Sequence, residues 1–484
     1  MSGYKLINDP IHGHIRLDDF CIEVIDTAQF QRLRDLKQNG SAYFVFPGAS
    51  HNRFEHSIGV SYLAGTLIER FQREQPDLEI TESEVKCVKL AGLCHDLGHG
   101  PYSHIFDNEF MPQAKPELAW THEKASEMML EYLVDDNNID LERDEVELIK
   151  SLIDGKPSSE CRHSQRSFLF DIVANKRNSV DVDKFDYIER DCYNLGIKSS
   201  YDTSRLMSMS RVVDNQICFH HKEVYNIYDM FHTRYSLFKR IYTHKVGKAI
   251  EYMITDALLA ADPHLDISDA VLRGDEYVNL TDDILRVIEC SRGDELAPAR
   301  AIIKRIRTRQ LYKFVDEVLI PQEMKLHFTK DNINPREIIA YQDDNDQLGE
   351  HDVIIEWLRI NYAMKDRNPV DMIRFYSKFN ENESFHIAKE QVSYLVPEQF
   401  EETVVRVFSR DMKKVKAIQT SFRKLIKSFS QYGRVPASPY ALNLTPNIAY
   451  TVPSDFESPR KRRYASPSLD YGESMAKKLI VKNW

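Results

Sequence analysis

The sequence predicts a mainly α-helical protein, and three observations favour that class. Apolar residues recur at helical spacing after Asp18, which marks one apolar side of a predicted helix. Asn52 stands three residues before Glu55, a spacing that is typical of a capped helix start. Residues 225–250 continue a helical pattern for several turns, and the composition, 42% hydrophobic and 29% charged, is that of a globular chain.

Shorter segments complete the predicted order of elements. The first is a short segment at 6–17 with a Pro-Ile-His-Gly turn. In the helix that follows, Arg32 and Lys37 are expected on the solvated face. The remaining predictions are a short strand at 43–46, a loop at 155–166, a hairpin at 211–219, an acidic loop at 341–352, and basic helices at 299–315 and 404–429.

Residues 433–484 are predicted to form a disordered tail, because serine, proline and asparagine dominate and apolar periodicity fades. Within it, Ser458-Pro459 precedes a run of basic residues at 460–463. Such a run can act as a nuclear address, although short motifs of this kind also arise by chance in tails. We therefore expect a nuclear or cytoplasmic protein, or one found in both compartments.

Composition narrows the classes of function. The chain has no apolar run long enough to cross a membrane, so no membrane partner is expected. Its seven cysteines form no Cys-x-x-Cys pair, which favours reduced thiols and argues against a cysteine metal site. The net charge of −11 gives no overall attraction to nucleic acid, so any polyanion site must be a local patch.

A cluster of histidines at the end of an apolar helical segment is the most informative feature. His95 and Asp96 are adjacent, and His99 and His104 follow where glycine and proline break the helix. A buried imidazole beside a buried carboxylate is costly unless both are satisfied, and a divalent cation satisfies both. A single His-Asp pair could instead be a hydrogen-bonded pair without a metal, but the clustering of three histidines makes this alternative interpretation weaker. His56, Asp181 and Asp183 are further candidate ligands.

The pattern His, His-Asp, Asp resembles the ligand set of the HD phosphohydrolase superfamily. Longer segments at 8–14, 46–57 and 228–234 resemble the animal deoxynucleoside triphosphate triphosphohydrolases that carry a sterile-alpha-motif domain ahead of the HD domain. The resemblance covers about residues 4 to 430, and no sterile-alpha-motif segment is expected here. It implies an HD catalytic core at 1–250 and a smaller α+β regulatory and oligomerisation lobe at 251–432.

The resemblance also implies the roles of individual residues. One transition-metal ion (iron, zinc or manganese) is expected on His56, His95, Asp96 and Asp183, with Mg²⁺ on the nucleotide phosphates. The implied catalytic residues are His99, His104, His122 and Glu123, with His104 as the proton donor. The implied substrate-binding residues are Gln38, Arg53, Lys184, Tyr187, Asp191, Arg234 and Tyr242.

Two activator sites are implied in the same way, one for a guanine nucleotide and one built across subunits. The implied residues are Lys5, Leu6, Asn8, Asp26, Gln31, Arg34, Val45, Phe46, Arg205, Lys222, Asn226, Arg240, Lys245, Arg309 and Lys313. Four positions depart from the animal pattern, namely Asn39, His220, Phe238 and Thr243. The changes at 39, 238 and 243 bear on base selectivity, and the change at 220 bears on triphosphate binding at the second activator site.

The resulting hypothesis is a metal-dependent enzyme that hydrolyses a dNTP to deoxynucleoside and tripolyphosphate and so controls dNTP pools. GTP and dNTPs are the expected activators, and they are expected to drive assembly from dimer to homotetramer. Two alternatives remain open. One is an HD phosphohydrolase for another nucleotide class, and the other is a nucleotide sensor that binds single-stranded nucleic acid weakly through its basic helices.

Overall fold

The structure, a computed structural model, describes residues 4–159 and 161–431. Helices dominate this part of the chain, so the predicted mainly α-helical class is confirmed. The predicted tail, with its Ser-Pro and basic motifs, lies outside the described residues. Within the described ranges, every helix is too short or too polar to cross a lipid bilayer.

The longer helices enclose the core of the protein. They are α1 (Asp19–Ile25), α2 (Arg53–Glu74), α3 (Glu82–Cys94), α4 (His122–Asn137), α5 (Arg143–Asp154), α6 (Val182–Leu195), α7 (Val224–Leu237), α8 (Lys245–Leu265), α9 (Ile284–Cys290), α10 (Ala297–Arg307) and α11 (Val415–Gln431). Shorter helices lie at Ala28–Gln31, Met111–Ala114, Phe170–Val173, Thr203–Ser208, Ile267–Ala270, Gly274–Tyr277, Pro335–Ile339 and Lys389–Val392. The capping box predicted at Asn52 and Glu55 is present and starts α2.

Small sheets surround this helical core. The strands are β1 (Tyr4–Asp9), β2 (Gly13–Asp18), β3 (Ser210–Val213), β4 (Gln216–His220), β5 (Lys313–Ile320), β6 (Val353–Asn361), β7 (Phe375–Ser377), β8 (Asn380–Phe385) and β9 (Glu401–Ser409). β1 and β2 form an antiparallel hairpin, and β3 and β4 form the hairpin predicted at 211–219. The other sheets have the orders β3-β4-β7-β8 and β5-β9-β6.

Three predictions of local structure are wrong. The expected strand at 43–46 is occupied by a 3₁₀ turn at Gly40–Phe44. The expected helix at 299–315 ends with α10, and its last residues begin β5. The expected helix at 404–429 starts as β9 and becomes α11 only after a turn. A short apolar run rich in valine does not distinguish a buried strand from a buried helix, which explains the last error.

The predicted helix at 225–250 is interrupted. α7 ends at Leu237, a π-helical segment covers Phe238–Tyr242, and α8 starts at Lys245. The interruption displaces the following helix, and it brings the Tyr242 hydroxyl to 2.5 Å from Asp191 Oδ2. This break therefore places an aromatic side chain beside the candidate site.

Candidate active site

The four side chains predicted as metal ligands meet at one point, called here the metal centre (His56, His95, Asp96 and Asp183). They come from the start of α2, the end of α3 and the first turn of α6. His56 Nε2 lies 3.2 Å from Asp183 Oδ1 and 3.3 Å from His95 Nε2. Asp96 oxygens lie 3.6 Å from His56 Nε2 and 3.4 Å from His95 Nε2. Ligand atoms about 2.1 Å from one tetrahedral ion lie about 3.4 Å apart, so these distances fit a single divalent cation.

Both imidazoles offer Nε2 to the metal centre because Nδ1 is engaged elsewhere. His56 Nδ1 donates to Asp186 Oδ2 at 2.7 Å, and His95 Nδ1 donates to the Gly92 carbonyl at 2.8 Å. A ring that carries its proton on Nδ1 presents a lone pair on Nε2. Two imidazole nitrogens and two carboxylates form a donor set that suits iron, zinc or manganese. The residues present therefore fit the divalent metal that the sequence predicts.

Asp186 connects the metal centre to the N-terminal hairpin. Its Oδ1 lies 2.6 Å from His12 Nε2, and Arg190 donates to both carboxylate oxygens at 2.8 Å. Arg190 also donates to Asp9 Oδ2 at 2.8 Å, so β1 is tied to α6. A Cβ atom at Gly59 would lie 1.9 Å from Asp186 Oδ1, and only glycine leaves room for this carboxylate.

Charge at the metal centre is balanced by buried partners. Arg53 forms an ion pair with Asp96. Burial opposes ionisation of Asp96, but the Arg53 guanidinium outweighs burial and holds the pKa of Asp96 well below its usual range. Burial also opposes protonation of His56, yet hydrogen bonds to Asp183 and Asp186 raise the pKa of His56 to about 10. The surplus of carboxylates therefore favours a cation at this point.

A second group, called here the histidine cluster (His99, His104, Asp107 and His122), lies beside the metal centre. The rings of His99 and His122 stack with centroids 3.9 Å apart, and His122 Nδ1 lies 2.6 Å from Asp107 Oδ2. His104 Nδ1 lies 3.8 Å from the same oxygen, and its side chain is 69% exposed. Glu123 Oε1 lies 3.7 Å from His122 Nε2, so all four predicted catalytic residues come together.

The histidine cluster contains imidazoles of opposite protonation tendency. Burial, Arg53 and His122 hold the pKa of His99 well below its usual range. Burial opposes protonation of His122, but its hydrogen bond to Asp107 raises its pKa. Burial likewise opposes ionisation of Asp107, but the neighbouring His104 and His122 imidazoles lower its pKa. The pKa values of two stacked imidazoles are therefore shifted in opposite directions, an arrangement that suits proton transfer.

Both groups open into one cavity of about 740 Å³, which is within the range of small-ligand sites. The substrate-binding residues predicted from the sequence that line this cavity are Gln38, Arg53, Lys184, Tyr187, Arg234 and Tyr242. Lys184 Nζ lies 3.0 Å from Asp181 Oδ2, and Arg234 Nη1 donates to the Asn361 carbonyl at 2.8 Å. The cavity therefore combines the metal centre with cationic side chains.

Asp191 lies behind the cavity wall instead of lining it. It is 1% exposed, and its Oδ1 lies 2.6 Å from His51 Nε2. Its Oδ2 accepts the Tyr242 hydroxyl, so this carboxylate fixes the aromatic ring that faces the cavity. Both carboxylate oxygens of Asp191 already have partners, one in His51 and one in Tyr242. In this structure Asp191 therefore supports the cavity wall and does not line the cavity.

Comparison with known proteins agrees with this geometry. The HD domain family profile matches residues 53–191. A protein of Dictyostelium discoideum named deoxynucleoside triphosphate triphosphohydrolase SAMHD1 homolog is 50% identical over 449 residues, which cover 93% of this chain and 83% of that protein. The human deoxynucleoside triphosphate triphosphohydrolase SAMHD1 is 44% identical over 440 residues, or 84% and 70% of the two chains. A mimivirus protein named putative HD domain-containing protein L394 is 31% identical over 439 residues, or 84% and 93% of the two chains.

The chain belongs to the SAMHD1 family of HD-domain triphosphohydrolases. This follows from identity extending over most of both chains, well beyond the HD domain itself. The resemblance seen in the sequence is thereby confirmed.

Residues implied for the first activator site of this SAMHD1-family chain lie close together. Lys5 Nζ, on β1, lies 3.6 Å from Asp26 Oδ1. Gln31 Oε1 accepts from Arg34 Nε at 2.7 Å, and the Arg34 guanidinium lies 3.5 Å from the centre of the Phe54 ring. Leu6 and Asn8 share β1 with the lysine, and Val45 and Phe46 line the main cavity. These side chains already pair with one another.

Residues implied for the second activator site lie in several separate segments of this chain. Arg205 Nη2 lies 2.7 Å from Glu223, which lies between Lys222 and Asn226 in sequence. Lys245 lies 2.9 Å from Glu317. Lys313 begins β5, Arg240 lies in the π-helical segment, and Arg309 donates to the Phe44 carbonyl. Because the site is expected to form across subunits, one chain supplies only its parts.

The expectation that Arg32 lies on a solvated face is wrong. The residue is 4% exposed, and its guanidinium donates to the carbonyls of Leu97, His99 and Leu280. It also lies 4.5 Å from the centre of the Tyr277 ring. Arg32 therefore holds the segment that leads from the metal centre into the histidine cluster.

Sequence reasoning missed the residues that support the site. They are His12, His51, Asp107 and Asp186. Asp107 and Asp186 each carried a local signal, since Asp107 lies three residues after His104 and Asp186 lies four residues before its partner Arg190. The others contact residues more than 100 positions away in sequence, and no spacing pattern reveals such a contact.

Proposed function

We propose that this protein hydrolyses deoxynucleoside triphosphates to deoxynucleoside and tripolyphosphate. The observation that carries the proposal is that the metal centre, the histidine cluster and the cationic side chains of Arg53, Lys184 and Arg234 share one cavity. A triphosphate has a negative charge that these cations complement, and its α-phosphate needs an electrophile and a proton donor. Membership of the SAMHD1 family supports the same substrate class.

The chemistry divides between the metal centre and the histidine cluster. His56, His95, Asp96 and Asp183 would hold a divalent ion, which would supply a water of lowered pKa and polarise the α-phosphate. An oxygen–phosphorus bond forms to water, and the bond from phosphorus to the 5′-oxygen breaks. The departing 5′-oxygen needs a proton, and His104 faces the cavity where it can supply one. Asp107 Oδ2 lies 3.8 Å from His104 Nδ1, so this carboxylate is the nearest charged partner of the proposed donor.

Substrate recognition is assigned to the lining of the cavity. Lys184, Tyr187 and Arg234 bind the phosphates, with Mg²⁺ bound to the tail of the triphosphate. Gln38 binds near the sugar 3′-hydroxyl, since its Oε1 is buried and has no hydrogen-bond partner in the described part of the chain. Tyr242, fixed by Asp191, excludes a ribose 2′-hydroxyl by occupying its volume.

Regulation is part of the proposal. GTP and dNTPs bind the two activator sites and link subunits into a homotetramer, and the protein thereby adjusts its rate to the dNTP pool. The support is that Lys5 pairs with Asp26, Arg34 pairs with Gln31, and Gln31 donates to the carbonyl of Ile25, next to Asp26. A carboxylate and cations of this kind can meet a guanine edge and phosphates. Weak binding of single-stranded nucleic acid and a nuclear or cytoplasmic location complete the proposal.

Product analysis tests the reaction. Purified protein with Mn²⁺ and Mg²⁺ is incubated with dGTP, with and without GTP, and the products are separated by anion-exchange chromatography. Tripolyphosphate and deoxyguanosine are the expected products. Pyrophosphate or orthophosphate as the first product would instead indicate an HD phosphohydrolase of another substrate class.

Substitution separates an enzyme from a nucleotide sensor. The double variant His95→Ala and Asp96→Ala should lose turnover while nucleotide binding at the activator sites persists. Sedimentation with GTP and dATP should show tetramers for the wild-type chain. A chain that stays monomeric under both conditions contradicts the regulatory part of the proposal and leaves the reaction itself to be judged by its products.

A further inference from the structure

A lysine buried among three carboxylates forms one wall of the cavity, and the proposed reaction does not use it. Lys248 Nζ lies 2.5 Å from Glu251 Oε2, 3.5 Å from Glu356 Oε1 and 3.7 Å from Glu109 Oε1. Lys248 is 13% exposed and Glu356 is 7% exposed. We call these four residues the acidic quartet. They come from α8, β6 and the segment after His104, so the fold assembles the quartet from distant parts of the chain.

The quartet places one ammonium group among three carboxyl groups. Burial opposes the charge of Lys248, but Glu251 and Glu356 hold its pKa well above the usual value, so the lysine remains a cation. Burial raises the pKa of Glu109 and of Glu356. Arg406 lies 3.5 Å from Glu356 Oε2 and shares that carboxylate. Glu251 has a further neighbour in Ser41, whose hydroxyl donates to Oε1 at 3.3 Å.

Charge in the cavity therefore defines a direction for the substrate. Arg53 pairs with Asp96 of the metal centre, and Lys184 follows Asp183 in sequence, so these two cations lie at the metal centre, where they complement a triphosphate. Carboxylates of the quartet repel phosphate oxygens and accept hydrogen bonds from N–H groups. The uncharged end of a nucleotide, its base, is the part that can approach them. This orientation rests on the proposed function, since it takes a dNTP as the occupant.

Two members of the quartet reach the cavity itself. Lys248 and Glu251 both line it, beside Asn39 and Ser41. The side-chain nitrogen Nδ2 of Asn39 is buried and has no hydrogen-bond partner among the described residues. An unpartnered donor beside a lysine and a carboxylate offers donors and an acceptor to a planar ligand. A polar wall of this kind suits the hydrogen-bonding edge of a base better than it suits an apolar ligand surface.

We propose that Lys248 and Glu251 read the Watson–Crick edge of the substrate base and make this enzyme favour dGTP. Guanine carries the O6 acceptor next to the N1–H and N2–H₂ donors. Lysine donates to O6, and a carboxylate accepts from both neighbouring N–H groups. Adenine is the same size but has a donor where guanine has O6, and an acceptor at N1. Adenine would therefore set a donor against Lys248 and an acceptor against Glu251, and a mismatch of this kind at a hydrogen-bonding wall disfavours the wrong base.

Internal competition tests the proposal. Equimolar dGTP and dATP, and in a second mixture dGTP and dITP, are hydrolysed in the same tube with saturating GTP. Because both substrates meet the same activated enzyme, the ratio of initial rates gives the ratio of kcat/KM without any effect of activation. We expect the wild-type chain to prefer dGTP about tenfold over dATP and several-fold over dITP, which lacks only the N2 amino group.

Glu251→Gln removes the charge at constant shape and should reduce the dGTP preference to within about twofold in both mixtures. Lys248→Met should reduce the preference over dATP as well. If the methionine variant fails to fold, the glutamine variant, which keeps the lysine, decides alone. The matched control is Lys150→Met, because Lys150 also lies among three glutamates (Glu127, Glu131 and Glu147) and does not line the cavity.

Each outcome is informative. A wild-type ratio near one, or a dGTP preference that survives both cavity substitutions, overturns the proposal. A shift of equal size in Lys150→Met also overturns it, since the effect would then be general. Release of no tripolyphosphate from any of the nucleotides contradicts the proposed function instead, and the two failures are thereby distinguished.

Discussion

His56 and Asp186 form a hydrogen bond of 2.7 Å between Nδ1 and Oδ2, and both side chains are almost completely buried. The carboxylate fixes the tautomer of the imidazole and points Nε2 at the metal centre. The same carboxylate accepts from Arg190, which in turn binds Asp9 of the N-terminal hairpin. The strength of metal binding therefore depends on residues that never touch the metal.

Asp186→Asn should weaken metal binding by about 10- to 100-fold, because the amide no longer attracts the Nδ1 proton as a carboxylate does. The measurement is calorimetric titration of metal-free protein with Mn²⁺, together with metal content after dialysis. Asp171→Asn is the matched control, since Asp171 is also buried and paired with an arginine, Arg177. Equal affinities for the two variants would contradict the role given to Asp186.

His104→Asn should lower kcat by about 10²- to 10⁴-fold, the usual contribution of a positioned general acid. Metal content should stay unchanged, because His104 is not part of the metal centre. His14→Asn serves as a control on an exposed histidine of β2. Loss of bound metal from the His104 variant, with activity restored by excess Mn²⁺, would show that the residue acts through the metal and not as the proton donor.

Arg32→Lys should lower the free energy of unfolding by about 2–4 kcal/mol, because lysine cannot reproduce a fork of donors aimed at several carbonyls. The three carbonyls belong to Leu97, His99 and Leu280. Denaturant unfolding followed by circular dichroism measures the change. Arg16→Lys is the control, since Arg16 is exposed and lies over the Tyr4 ring. Similar unfolding midpoints for both variants would contradict the prediction.

The buried carboxyl group of Asp282 should make the free energy of unfolding depend on pH. Burial raises the pKa of Asp282 to about 6. Hydrogen bonds that its oxygens accept from the backbone N–H groups of Lys37 and Tyr102 lower the pKa but do not outweigh burial. The folded state then holds this proton more tightly than the unfolded state, so the stabilisation is complete below about pH 4 and is lost as pH rises to about 6. Asp282→Asn should flatten this part of the curve relative to the wild-type chain. Unfolding free energies measured between pH 4 and 7 for both chains test it, and identical slopes would contradict it.

The sequence predicted what depends on local spacing. The capping box at Asn52, the adjacent pair His95-Asp96 and the hairpin at Asp214 are each encoded within a few residues, and all are present. The predicted metal ligands followed from a resemblance that spans three segments, and the structure brings His56, His95 and Asp183 together with Asp96 beside them.

The rest depends on contacts between distant segments. Arg32 looked solvated because its helix alternates apolar and polar residues, but packing against the loop of Leu280 buries it. The four members of the acidic quartet are unremarkable one at a time, and only the fold makes them neighbours. The apolar run of β9 carries no periodicity that separates strand from helix, so its type was decided by pairing with β5 and β6.

The hairpin contacts of Asp9 and His12 set a practical boundary for anyone who shortens this protein. A fragment that starts at the HD domain, at residue 53, would keep every metal ligand and still lose both of these supports. In such a fragment Arg190 of α6 should lack the carboxylate of Asp9, and Asp186 should hold the His56 ring less firmly. The smallest unit worth expressing therefore begins before Tyr4, well ahead of the limits that domain matching alone would draw.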